Sequence, residues 1–346
     1  MKKVIVAMSG GVDSSVAAFL IKHNGYSCEG AIMRLCDKPS EEQDIFDAQQ
    51  VCKKLAIPFH IFDMRQEFSE FVIARFIEEY KNGATPNPCI TCNKYLKFGQ
   101  FMDKALQIGA DYIATGHYAQ ILFDKKINRY ILKKAIDQSK DQSYVLYSLT
   151  QPQLAHTLFP LGSLSKEQVR KIAKEQGFIN AKKQDSQDIC FIPDGNYVNY
   201  IENKTKDSFT PGNFVTKDGC VLGQHKGLIR YTVGQRKGLG LSLPHPLYVC
   251  RLDVQKNEVI LGENEDLYIT DFDADTLNII TKDSLIKPMH VQVKTRYTQP
   301  ACPATVIQTG TDTIHIQAHT PLRAVTKGQS VVLYNDDIVI GGGKIL

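Results

Sequence analysis

The sequence lacks any apolar run approaching the roughly 20 residues that a bilayer-spanning helix needs, although 43% of its 346 residues are hydrophobic. Its opening, MKKVIVAMSGG, imitates a secretory leader with two lysines and a short apolar stretch. Ser9-Gly10-Gly11 and Asp13 interrupt that stretch, and no small-residue cleavage site follows a long enough apolar core. The expected location is therefore the cytoplasm, with no membrane partner. An excess of one charge is missing too. The net charge of +4 permits a polyanionic partner without demanding one. No internal repeat, heptad run or low-complexity tract is present, which excludes solenoids and coiled coils. The glycines form neither GxGxxG nor GxxxxGK[ST], so the chain carries neither a dinucleotide fingerprint nor a Walker loop. A second CxxC or a His pair to complete a metal site with Cys89–Cys92 is also lacking.

What is present first is an alternation of strand and helix. KKVIVAM, CEGAIMRL and PFHIFDM read as compact strands. SSVAAFLIKHNGY, EEQDIFDAQQVCKKLAI, QEFSEFVIARFIEEYKNG and LKFGQFMDKALQIG read as helices, and DYIATGHYA as a further strand. This rhythm predicts an α/β domain with a doubly wound parallel sheet, its ligand at the carboxyl ends of the strands. After about residue 200 helical periodicity gives way to short strands: LYVCRLDV, EVILG, HVQVKTRY, ATVIQT, TIHIQA, SVVLYN and DIVIGG. They predict two small β-rich or β-barrel domains. The expected division is 1–205, 206–272 and 273–346, with DADTLNIITKD near 272–283 as a boundary segment. The helix KEQVRKIAKEQG reads as a mixed-charge surface helix.

Ser9-Gly10-Gly11-Val12-Asp13-Ser14 follows a strand and opens a helix. Glycines let backbone N–H groups turn toward a ligand, the helix N-terminus adds partial positive charge, and Ser9, Ser14 and Ser15 supply hydroxyls, which together suit a pyrophosphate. The bland alternative is a tight strand-to-helix turn capped by Ser14. As the first turn of an α/β sheet, SGGVDS resembles the phosphate loop of the N-type ATP pyrophosphatases.

Nine cysteines in such a compartment are not expected to form structural disulfides. Cys28, Cys52, Cys220 and Cys250 fit apolar or mixed elements; Cys36, Cys89, Cys92 and Cys190 fall at element ends or in loops. Cys89–Cys92 in NPCITCNK can be a metal clip, a redox pair, a disulfide, or one catalytic cysteine beside a bystander. Cys92, placed in a loop before a helix and beside Lys94, is expected to have a lowered thiol pKa. Cys190 in QDSQDICFIPDG, also outside any helix, would complete a sulfur relay.

AMSGGVDSS, ATPNPCITCNKYLKFG, ATGHYA, KDQSYVLYSL, DSQDICFI and YTVGQRKGLGL, in that order, resemble the tRNA-specific 2-thiouridylase family across essentially the whole chain. The resemblance implies an adenine nucleotide alpha hydrolase-like catalytic domain that thiolates the wobble uridine of tRNA with ATP. It implies that Ala7, Met8, Ser9, Gly10, Gly11, Val12, Asp13, Ser14, Met33 and Gly116 bind ATP. Cys92 is implied as nucleophile and Cys190 as persulfide carrier. Asn87, Pro88 and Cys89 would lie beside the target base, and His117, Lys140, Asp141, Gln142, Arg296, Tyr297 and Gln329 would contact tRNA. Met33 and His117 would otherwise be taken as core residues, and Asp141 as a cap. Arg230, Arg236 and Lys237 fit either a solvated turn or RNA contact. The implied cofactor is ATP with Mg²⁺ held mainly through phosphates. The implied partners are the tRNA anticodon stem-loop and a sulfur carrier protein or cysteine desulfurase. One departure stands out: the family form carries an aspartate where this chain has Cys89. That substitution reopens an iron–sulfur or zinc site on Cys36, Cys89, Cys92 and Cys190, which a lone CxxC supports less well than the relay. Competing functions are an amidotransferase or lysidine-type ligase on the same fold, or an RNA-binding protein with a vestigial nucleotide site.

Overall fold

The computed structural model describes residues 1–37, 40–184, 189–192, 194–285 and 287–346. At the centre lies β1 (Lys3–Met8), whose last five residues are all buried, as a strand covered on both faces requires. It leads through Ser9-Gly10-Gly11 into α1 (Val12–His23). Next come β2 (Ser27–Arg34), α2 (Glu41–Lys54) and β3 (Phe59–Asp63). A helical stretch over 65–81 and another over 88–107 precede β4 (Tyr112–Ala114). β5 (Ala119–Asp124) and β6 (Arg129–Lys134) form a hairpin, and β7 (Thr157–Leu158) closes the sheet edge.

The sheet order is β3-β2-β1-β4-β7, every pair parallel. The order reverses between β1 and β4, so the crevice for a ligand opens there, between Ser9–Gly11 and Thr115–His117. The expected α/β sheet is therefore present, with its switch point at the glycine motif.

β8 (Gly212–Thr216), β9 (Val221–His225), β10 (Tyr248–Asp253) and β11 (Glu258–Gly262) form a small sheet around Phe214, Tyr231, Val249 and Val259. The last unit holds β12 (Tyr268–Ile279), β13 (Met289–Lys294), β14 (Cys302–Gln308), β15 (Ile314–Arg323), β16 (Ser330–Asn335) and β17 (Ile338–Ile345). Pairing of β12 with both β15 and β17 closes these six into a barrel. Residues 272–279, read from sequence as a boundary segment, are part of strand β12. Register breaks at Ile269/Asp271 and Asp275/Asn278 let that long strand bend around the barrel.

The hairpin β5–β6 was not legible as such. β6 pairs with β17, so a piece of the α/β region extends the barrel's sheet. One apolar core runs through both, taking in Phe76, Leu96 and Tyr144 together with Val332, Tyr334 and Val339. No helix among the described residues is long and apolar enough to cross a membrane.

Candidate active site

The phosphate loop is built by β1 delivering its last residues to the N-terminus of α1. Ala7 and Met8 point into the cores on opposite faces of the sheet, so only their backbone faces a ligand. Gly10 takes φ +67°, and a Cβ there would lie 2.5 Å from the Asp44 carbonyl oxygen, which makes glycine obligatory. Gly11 is the N-cap of α1 and offers no side-chain cap, leaving first-turn N–H groups for an anion. Ser14 does not cap this helix from outside: its Oγ accepts from Ser9 N–H at 3.1 Å and donates to Gly11 O at 3.1 Å. It braces the loop instead. Gly116, across the crevice, packs so close that a Cβ would sit 2.8 Å from Asp13 C and Ser14 N. An uncapped helix end with hydroxyls and close backbone fits a polyphosphate. Met33 is half-buried at the end of β2.

Asp13 is the acid of this loop. Its carboxylate accepts from Lys166 Nζ at 2.7 and 2.8 Å and from Tyr118 Oη at 2.9 Å. Lys166 opens helix Lys166–Glu175, whose Val169 and Ala173 are buried. That helix is thus more than the surface element its mixed charge implies. A signal existed in the sequence: the Ser165–Gln168 capping box places Lys166 at the helix start, where a cation opposes the helix dipole. Asn180 and Lys183, likewise missed, hydrogen-bond Gly10 O at 2.9 and 3.2 Å.

The thiols lie beyond the next loop. Asn87 caps a helix through Oδ1, accepting from Cys89 N–H at 3.1 Å, and Pro88 occupies its first position. The helix therefore begins before Cys92, and the expectation that Cys92 sits in a loop at a helix N-terminus is corrected. Helix Pro88–Thr91 passes directly into a π-helical stretch, Cys92–Gln100, and then Phe101–Gln107. π-helical turns are rare and frequently found at functional sites.

Cys92 faces the core and is only 8% exposed. Burial pushes its thiol up to about 12, against the lowering influence of Lys97, while Cys190 and Cys89 push it further up. The expected lowering by a helix end and Lys94 is overturned. Desolvation wins, and the Lys94 ammonium lies over the Tyr95 ring, 5.3 Å from its centroid. Cys190 is exposed, yet its neighbour Phe191 packs edge-on against Phe68 and Phe76 at 5.5 and 5.3 Å. These contacts draw the distant Cys190 segment onto the core that holds Cys92. Cys28, Cys52, Cys89, Cys92, Cys220, Cys250 and Cys302 are free thiols. Among the described residues no group of three or more His, Cys, Asp or Glu side chains is arranged to hold a metal ion.

Cys89 is exposed at the helix start, and it and Asp141 both add to the raised pKa of Tyr297, which is mainly due to burial. Asp141 accepts from Ala135 N–H and the Ser143 hydroxyl at 3.0 and 2.8 Å, and Gln142 Oε1 accepts from Tyr118 N–H at 2.9 Å. Lys140 leads into this turn, its N–H bonded to Asp137 O. His117 is buried, its Nδ1 2.7 Å from Thr115 Oγ1, and burial holds its pKa well below the usual histidine value. Arg296 donates from Nη2 to Val233 O, Ala324 O and Thr326 Oγ1 at 3.2, 3.0 and 2.8 Å, tying the middle sheet to the barrel. With Tyr297, Gln329, Thr85 and Thr232 it lines a cavity of about 240 Å³ where all three units meet. Arg230 is held by Glu202, whereas Arg236 and Lys237 are exposed.

A parallel sheet with an uncapped glycine-serine loop at its switch point defines a nucleotide-binding α/β protein of the HUP class. Residues 2–194 match the family model described as a tRNA methyl transferase HUP domain, 198–263 its PRC-barrel domain, and 270–345 an aminomethyltransferase beta-barrel domain. The tRNA-specific 2-thiouridylase MnmA of Clostridioides difficile (strain 630) is 48% identical, the alignment covering 99% of this chain and 98% of that protein. The one from Acetivibrio thermocellus is 47% identical, with 99% of each covered. The chain belongs to the tRNA-specific 2-thiouridylase family. A U34-tRNA thiolase, NcsA, from Methanococcus maripaludis with a 4Fe-4S cluster aligns at 17% identity and a TM-score of 0.36, covering 59% of this chain and 67% of that one. That likeness is too slight to bear on the cluster alternative.

Proposed function

We propose that this chain is a tRNA-uridine 2-sulfurtransferase, replacing the C2 oxygen of the wobble uridine (U34) by sulfur with release of AMP and pyrophosphate. The observation that carries it is that Cys190 lies close enough to Cys92 to raise its pKa, in a domain whose parallel sheet carries a glycine-serine loop at its switch point.

In this reading ATP enters the crevice with its phosphates on the Gly10–Ser14 backbone and its adenine toward Met33 and Gly116. Mg²⁺ would accompany it through the phosphates, since both oxygens of Asp13 already accept from Lys166 and Tyr118. The tRNA anticodon arm lies across Asn87, Pro88 and Cys89, the 140–142 turn, and the Arg296–Tyr297–Gln329 cavity. The target base is turned out of its stack into the crevice, so that His117, buried at the end of β4, meets the base and not the RNA surface.

The uridine C2 oxygen attacks the α-phosphorus of ATP and pyrophosphate leaves. This converts a poor leaving oxygen into an adenylate. Cys190, exposed, is charged as a persulfide by a sulfur carrier protein or cysteine desulfurase. Its terminal sulfur attacks C2 and AMP departs. The Cys92 thiolate then attacks Cys190 Sγ, the persulfide S–S bond breaks toward the base, and a Cys92–Cys190 disulfide remains beside a 2-thiouridine. In the alternative order Cys92 attacks first and frees sulfide to act on C2, leaving the same disulfide. The Cys92 proton must be removed on the way, because burial keeps that thiol neutral.

The test is mass spectrometry of tRNA nucleosides after incubation with ATP and a sulfur source. The reading expects 2-thiouridine in the wild-type reaction and none without ATP. No 2-thiouridine, under conditions where tRNA and ATP both bind, overturns it. A cytoplasmic location accords with the substrate.

A further inference from the structure

Two hydrogen-bonded arms run from the turn at 137–142 to a single carboxylate in the phosphate loop. The first starts at Asp137, whose Oδ2 accepts from Lys166 N–H at 2.9 Å. The Lys166 ammonium, on a side chain only 11% exposed, then pairs with both oxygens of Asp13 at 2.7 and 2.8 Å. The second starts at Gln142, which accepts from Tyr118 N–H through Oε1 at 2.9 Å and donates its own N–H to Tyr118 O at 2.8 Å. Tyr118, 2% exposed, donates its hydroxyl to Asp13 Oδ1 at 2.9 Å.

Both ends of these arms are firm. In the turn, Lys140 N–H bonds Asp137 O, and Asp141 accepts from Ala135 N–H and the Ser143 hydroxyl. At the loop, Gly116 packs so close that a Cβ would sit 2.8 Å from Asp13 C and Ser14 N. A lysine in the first turn of a helix opposes the helix dipole, and a carboxylate in a phosphate loop opposes an anionic ligand. Pairing Lys166 with Asp13 offsets both costs and joins the two elements. Adenylation in turn joins atoms of two substrates, which must meet within about 3–3.5 Å, and a misplacement of about 1 Å can cost on the order of 100-fold.

We propose that Tyr118 and Lys166 are positioning residues for adenylation: acting through Asp13, they register the 137–142 turn on the phosphate loop, so that uridine and ATP are presented in one frame. This rests on the functional reading above, in which ATP occupies the loop and residues 140–142 meet tRNA. Either arm alone still ties turn to loop, and only loss of both frees them.

The experiment measures single-turnover pyrophosphate release by the full-length protein at saturating Mg·ATP and saturating anticodon stem-loop RNA with uridine at position 34. Tyr118→Phe removes the hydroxyl that reaches Asp13. Asp137→Asn keeps an oxygen for the N–H and hydroxyl of Ser139 and turns its amide nitrogen toward Lys166 N–H, which breaks that arm. Each single variant should slow release about three-fold and the double variant about 100-fold, well beyond the product of about nine-fold. Kd for ATP and for the RNA should each move less than about three-fold. A merely structural network would show its non-additivity in melting temperature and leave the saturated rate near the product of the singles. Should the double variant not fold, Tyr118→Phe decides alone: slower release with both Kd values unchanged supports the proposal, and the wild-type rate overturns it. A double variant at the product of the singles, or one whose loss is explained by weaker ATP or RNA binding, overturns the proposal while the functional reading stands. A wild type that binds both and releases no pyrophosphate overturns the functional reading, and the proposal with it.

Discussion

Cys92 and Cys190 carry the same group in opposite surroundings. Cys92 is 8% exposed, one turn inside a helix, its neutral thiol favoured by burial. Cys190 is exposed in a turn, with its neighbours Phe191 and Ile192 buried in the core and Ile189 packed against it. A carrier thiol must be reached by a macromolecular sulfur donor, whereas a resolving thiol that stayed reactive would be consumed before the base arrived. In the proposed relay it is burial, and not sequence spacing, that would divide the labour between the two.

The largest effect that tests this division is loss of either group. Cys92→Ser and Cys190→Ser should each lower 2-thiouridine formation by more than about 10³-fold, with ATP affinity retained, because a hydroxyl cannot enter thiol–disulfide exchange. The contrast itself should then be visible directly. At neutral pH, iodoacetamide should modify Cys190 about 100-fold faster than Cys92 in the native protein, since the thiolate is the reacting form. Similar rates would erase the comparison. A smaller effect sharpens it: Lys97 is the cation that opposes the raised pKa of Cys92, so Lys97→Met should slow turnover about three- to ten-fold and shift the ascending limb of the pH–rate profile to higher pH. Smallest is a stability effect. The folded Cys92 pKa lies above its ordinary value of 9.0, so its contribution is complete below that pH and is lost as pH rises toward about 12. Thermal melts over that window should fall less steeply for Cys92→Ala than for wild type.

The phosphate loop was legible in the sequence because its chemistry is local: strand, glycines, serines and helix are contiguous in KVIVAMSGGVDSSVAAF. The β-strands of the barrel were legible for the same reason, through alternation and turn residues. What escaped depends on partners far along the chain. Lys166 reaches Asp13 across 153 positions and Lys183 reaches Gly10 across 173, contacts that no window contains. The hairpin β5–β6 was hidden because its role comes from pairing with β17. The protonation of Cys92 was misjudged because proximity to Lys94 is a sequence fact, while desolvation by the core that closes around the thiol is a tertiary one.

The central claim is that buried Cys92 resolves the persulfide on exposed Cys190. Its most direct test is peptide mass spectrometry after a single turnover of persulfidated protein with ATP and tRNA, in the absence of reductant. The account predicts one Cys92–Cys190 disulfide for each 2-thiouridine formed. Equal yields of 2-thiouridine with Cys92 still a free thiol would contradict it.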